Sequence, residues 1–247
     1  MKKESKKDLI FETCDSGRRV KLTKKNAEKA ETEIMALSRY QRAYDPNAAP
    51  DLQETEGGFK GYRGSTAYWG TVLKDNLLPG KKPAHDLNLA IWYFLSAVNR
   101  DNTTHLHGAD KTEINKKLFE NKDNLLNWLK NPQKTNYAII RLIGEKTEAT
   151  GRRNLSFASK FAHYAAAYVF RGKKEEDNFS VYDSLLRRVL PAYCRAYGIT
   201  IGSLTGNYPA YQESIDELRQ AAAKETGELL TRRELDHLLW FYHNNNL

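Results

Sequence analysis

Apolar residues along this 247-residue chain cluster at helical spacing. The reading is all-α, with strand content near zero. Thr23 stands as a cap ahead of a periodic run, TKKNAEKAETEIMALSRYQRAY, that ends near Tyr44, and a turn-rich link, DPNAAPDLQETEGG, follows. Residues 59–84 mix Tyr62, Tyr68 and Trp69 with glycines and basic side chains, which predicts short helices joined by loops. HDLNLAIWYFLSAVNR reads as a core helix, residues 112–129 as one or two more, and NPQKTNYAIIRLIGEK as a helix beginning beyond Pro132.

The segment NLSFASKFAHYAAAYV then places Leu155, Ala158, Phe161, Ala162, Ala165 and Val169 on one helical face. Ser156, Lys160, Tyr164 and Ala167 fall on the opposite face, with His163 at its edge. GKKEEDN is a polar connection, and FSVYDSLLRRVLP is an extended approach followed by a helix that Asp183 or Ser184 caps and Pro191 ends or kinks. Two further helices are each predicted to open with a capping box, Ser214 with Glu217 and Thr231 with Glu234. The last buries Leu235, Leu238, Leu239 and Tyr242. The expected organisation is a basic tail over residues 1–22 and one helical domain over 23–247 with two sub-lobes.

The apolar fraction of 40% and charged fraction of 28% are ordinary for a globular chain. No apolar run approaches the roughly 18 residues that would span a bilayer, and the basic N-terminus lacks the apolar segment of a secretory signal. A cytoplasmic protein without a membrane partner is the expectation. Two cysteines, Cys14 and Cys194, cannot build an iron–sulfur cluster or a four-thiolate metal site. The histidine pair His105 and His107 lies in a polar turn without carboxylates at helical spacing, so no metal and no cofactor are expected. A net charge of +8 and a pI near 9.3 point to a polyanionic partner, nucleic acid first.

Two polar residues bear on chemistry. On local grounds Lys160 is a solvated lysine and Asp183 a helix cap favoured by the helix dipole. Their order and context add a second reading. SFASKFAHYAA, followed 23 residues after its lysine by the aspartate of FSVYDSLLRRVL, resembles the helix-hairpin-helix superfamily of DNA glycosylases, in particular its 8-oxoguanine glycosylase-like branch. IDELRQ and ELDHLLWFY look like the closing helices of bacterial members. The likeness covers roughly residues 57–242 in helix order and is specific in residues 151–190. One departure stands out: the family's glycine-rich LPGVG hairpin is replaced by GRRNLSFAS, in which Gly151 supplies one turn and Arg152 and Arg153 offer side-chain charge.

The resemblance implies a two-lobed helical bundle whose cleft is lined by residues 59–70 and 151–190. It implies base flipping from double-stranded DNA, with Lys160 as nucleophile and Asp183 stabilising the sugar cation. Arg152, Arg153, Asn154, Ser156, Arg187 and Arg188 are then expected to hold DNA, and Tyr62, Arg63, Trp69, His163 and Tyr164 to line the base pocket. The implied substrate is 8-oxoguanine or a modified base of viral DNA, in repair or antiviral defence, with or without strand cleavage, by a monomer. The alternative is a glycosylase-like fold that binds DNA or a protein without cutting.

Overall fold

The computed structural model describes residues 11–14, 18–36, 51–52, 62–63, 65–102 and 104–244. Among these, ten α-helices and four two-residue strands form two compact units, Met1–Ile34 with Asp183–Leu247, and Met35–Tyr182. The protein is mostly helical, as its apolar spacing requires. The far end of the first expected helix, residues 37–44, lies outside the described residues.

In the first unit, β1 (Thr13–Cys14) and β2 (Arg19–Val20) pair antiparallel ahead of α1 (Lys24–Met35). Thr23 starts that helix by accepting from the Asn26 amide (3.3 Å). The unit continues with α8 (Ser184–Ala196), α9 (Tyr208–Thr226) and α10 (Arg232–His243). The N-terminal strands belong to this core and are not a tail, since Val20 and Leu22 are buried and Phe11 packs on Phe241 and Tyr242. The Val20 amide also donates to the Tyr193 hydroxyl (3.0 Å). Burying apolar side chains of both hairpin and helix draws residues that composition marked as basic into the fold.

Capping follows sequence at one closing helix and departs from it at the other. Thr231 and Glu234 form the full capping box of α10. Ser214, however, caps nothing: α9 begins seven residues earlier, where Asn207 accepts from the Ala210 amide (3.2 Å) and Pro209 fits the first turn. Ser214 instead returns its hydroxyl to the Ala210 carbonyl (2.8 Å) inside the helix. Ion pairs tie α1 to α10 through Lys24 and Glu234 (2.5 Å) and α9 to α10 through Asp216 and Arg232 (2.7 Å), while Arg219 meets the same Asp216 within α9 (3.0 Å).

The second unit holds a short antiparallel pair, β3 (Asp51–Leu52) with β4 (Tyr62–Arg63), and helices α2 (Thr66–Leu77), α3 (Leu87–Asp101), α4 (Gly108–Glu120), α5 (Lys122–Lys130), α6 (Ala138–Gly144) and α7 (Leu155–Val169). A 3-10 turn, Lys174–Asp177, follows α7. Helix α7 is central, packing against α2, α3, α5 and α6. Close approach is built in at two glycines: a Cβ on Gly70 would stand 2.2 Å from the Tyr168 ring, and one on Gly144 would press on Leu155 at 3.1 Å. No helix of the described residues is long and apolar enough to cross a membrane.

Candidate functional site

The sequence stripe opposite the apolar face of α7 is only partly retained. Ser156 is exposed and Lys160 and Ala167 are half-buried, whereas His163 and Tyr164 are buried. The cause is the number of neighbours. A helix surrounded by four others has no polar side, so its hydrogen-bonding residues need partners inside the protein.

Those partners are specific. His163 Nδ1 lies 2.9 Å from the Phe179 carbonyl, which only accepts, so Nδ1 carries the proton. Ser159, one turn earlier on the same face, accepts the Tyr182 amide at 2.8 Å and gives its own proton to the Ser156 carbonyl at 2.9 Å. Ser159 and His163 thus clamp both ends of segment 179–182 on α7. Tyr182 is the last residue of this unit, and Asp183 follows it in the chain. The Tyr164 hydroxyl donates to Asn102 Oδ1 (3.1 Å), anchoring α7 to the end of α3.

Asp183 does the capping its position suggested. Its backbone is extended and its carboxylate accepts the Leu185 amide at 2.7 Å, starting α8. Helix α8 runs on through Pro191. Arg188 is exposed on it and Arg187 half-buried.

The expected pocket residues have mixed placements. Trp69 is a core residue, 1% exposed and stacked on Tyr93 with ring centres 4.6 Å apart. His85 and Tyr68 flank the same indole, and burial raises the Tyr93 phenol above its ordinary value. Tyr62 and Arg63 contribute backbone to β4, and their side chains lie outside the described residues.

Between α6 and α7 the chain forms a hairpin over residues 145–154, closed by a bridge between Lys146 and Arg153 and by the Asn154 amide on the Gly144 carbonyl (3.2 Å). Gly151 takes a left-handed φ of 66°, which its lack of a Cβ permits. Residues 145–154 thus join α6 to α7 through a bridged turn. Arg152 and Arg153 are exposed on the hairpin, and Arg152 donates to His107 Nε2 at 2.7 Å. Asn154 is half-buried at the start of α7.

Sequence reading missed what supports this hairpin. Asp110, fully buried in the first turn of α4, accepts from the hydroxyls of Thr147 and Thr150. One turn on, Glu113 accepts the Ala149 amide (3.1 Å), and its other oxygen pairs with Lys117 (2.6 Å). That lysine holds the Glu113 carboxyl below its ordinary value against the opposing effect of burial, and the Ala149 amide acts in the same direction as the lysine. The one-turn spacing of Asp110 and Glu113 matches that of Thr147 and Thr150, but nothing in sequence aims one pair at the other.

Among the described residues no group of three or more His, Cys, Asp or Glu side chains could hold a metal ion. No protein-family model, curated protein or solved structure matches the chain.

Proposed function

We propose that the chain is a DNA glycosylase of the helix-hairpin-helix type, which turns a damaged or modified base out of the duplex and cleaves its bond to the sugar. The observation that carries this reading is the setting of Lys160: a half-buried lysine on a helix that buries eleven of its fifteen residues, whose neighbour Ser159 grips the residue immediately before Asp183. The hairpin ahead of that helix and the net charge of +8 add to it.

In this reading the neutral amine of Lys160 attacks C1′ as the base leaves with the bonding electron pair, and Asp183 stabilises the positive charge that builds on the sugar. The adduct opens to an imine, from which strand cleavage can follow. Asp183 accepts the Leu185 amide, which fixes its carboxylate at the start of α8. Arg152, Arg153, Arg187 and Arg188 hold phosphates, a contribution that weakens with salt.

The test is a screen of the wild type and Lys160→Gln against genomic DNA from hosts and viruses with different base modifications, reading released bases by mass. Wild type releases one base, borohydride traps a covalent protein–DNA adduct, and Lys160→Gln yields no trapped adduct. Retention of full base release and trapping in both Lys160→Gln and Asp183→Asn overturns the assignment.

A further inference from the structure

Three elements of the first unit meet at one buried hydroxyl. Tyr193 lies on α8, 1% exposed, and its phenol oxygen accepts the Val20 amide of β2 at 3.0 Å. The same oxygen stands 2.9 Å from Nε2 of His243, the last residue of α10. An amide only donates, so Val20 takes a lone pair of the phenol and leaves the phenol's own proton for His243. Nε2 is therefore the acceptor, and the imidazole is neutral. Burial pushes the Tyr193 phenol well above its ordinary value, so this proton stays on the oxygen.

A proton added at Nε2 would face the phenol's own proton. Tyr193 is fixed in the core, whereas His243 is half-buried at the end of its helix. The imidazolium is the group that can leave, since water hydrates it and the core does not. Its departure opens the hydroxyl and the Val20 amide to water. The charged and titratable groups around this contact come from all three elements: Arg19 and Cys14, paired across the hairpin, Tyr197 on α8, and Tyr242 on α10, edge-on to the His243 ring at 5.0 Å. Arg19 is a fixed cation and opposes a second positive charge beside it.

We propose that the Tyr193–His243 pair is an acid-released latch: protonation of His243 turns it out to solvent and uncovers the amide by which Val20 anchors the N-terminal hairpin. A second clamp on the same hairpin does not titrate. Asn26 of α1 accepts the Glu12 amide (3.1 Å) and donates to the Glu12 and Lys21 carbonyls (2.9 Å each). Acid therefore loosens the edge of the hairpin next to α8 and α10 and leaves the edge on α1 in place. The latch needs neither DNA nor base release, so it stands or falls apart from the function above.

Hydrogen exchange, followed residue by residue in the full chain, tests this. Between about pH 8 and about pH 5, where histidine changes charge, protection of the Val20 amide relative to an unstructured chain at the same pH is expected to fall about tenfold. Protection of the Glu12 amide holds. His243→Gln offers an acceptor oxygen that does not titrate, so Val20 stays protected at both pH values. Tyr193→Phe removes the hydroxyl and leaves Val20 poorly protected at both. Val20 protection that ignores acid in the wild type, falls equally in His243→Gln, or falls together with that of Glu12 overturns the proposal. Should Tyr193→Phe fail to fold, the wild type and His243→Gln decide by the same criteria.

Discussion

Helix α7 buries eleven of its fifteen residues, whereas α8 buries four of thirteen, Leu186, Leu190, Tyr193 and Cys194. The first carries Lys160 inside a ring of other helices, and the second begins at Asp183 and keeps an ordinary amphipathic face. In α8, burial follows helical spacing, and the polar residues remain at least partly exposed. In α7, burial overrides spacing, and each polar residue is either paired inside or left at a narrow exposed edge. A polar side chain at such an edge is therefore a stronger functional signal on α7 than the same side chain on α8.

Truncations to alanine on the two helices should cost very different amounts. Phe161→Ala, which empties a site edge-on to Phe94 at 5.1 Å, is expected to lower stability by about 3–5 kcal/mol. Leu185→Ala, half-exposed on α8, should stay within about 1 kcal/mol. Urea unfolding of the two variants checks this, and equal midpoints would erase the contrast.

A smaller effect tests the clamp. Ser159→Ala strands the Tyr182 amide and should cost about 1–3 kcal/mol, with faster hydrogen exchange at that amide. The same variant should lower base release without abolishing it, because Lys160 remains while the segment leading to Asp183 loosens. Unchanged exchange at Tyr182 would show that Ser159 does not hold the segment.

At the start of α8, capping and catalysis can be separated. Asp183→Ala should cost about 1 kcal/mol, while Asp183→Asn retains a capping oxygen and leaves stability within a few tenths. Base release should vanish in both. If activity tracked stability instead, surviving in Asn and falling in Ala, Asp183 would be a cap alone. Lys160→Gln is likewise expected to change stability little, within about 0.5 kcal/mol in thermal melts, because the residue is half-buried rather than in the core.

Much of the fold was legible beforehand for physical reasons that act locally. Thr23, Asp183 and Thr231 cap helices as read, since a short oxygen side chain ahead of an apolar run meets the free amides of its own first turn. Ser214 shows the limit of that rule, because an earlier start at Asn207 and Pro209 satisfied the amides first. Trp69 reads equally well as a pocket wall or a core ring in sequence, and only its stacking on Tyr93 decides for the core. The hairpin's acidic supports had no local signature, since Asp110 and Glu113 act on residues 36 to 40 positions away.

By itself, then, the sequence determined helix positions, caps and a basic balance, because backbone hydrogen bonding and the periodicity of apolar side chains operate over a few residues. It also singled out Lys160 and Asp183 as candidates. The tertiary structure alone decided that α7 is enclosed, that Ser159 and His163 turn inward to hold residues 179–182, and that Glu113 holds the hairpin tip. Those outcomes depend on which elements surround a side chain. Buried polar groups must find partners wherever the packing puts them, and one-dimensional spacing does not specify that neighbourhood.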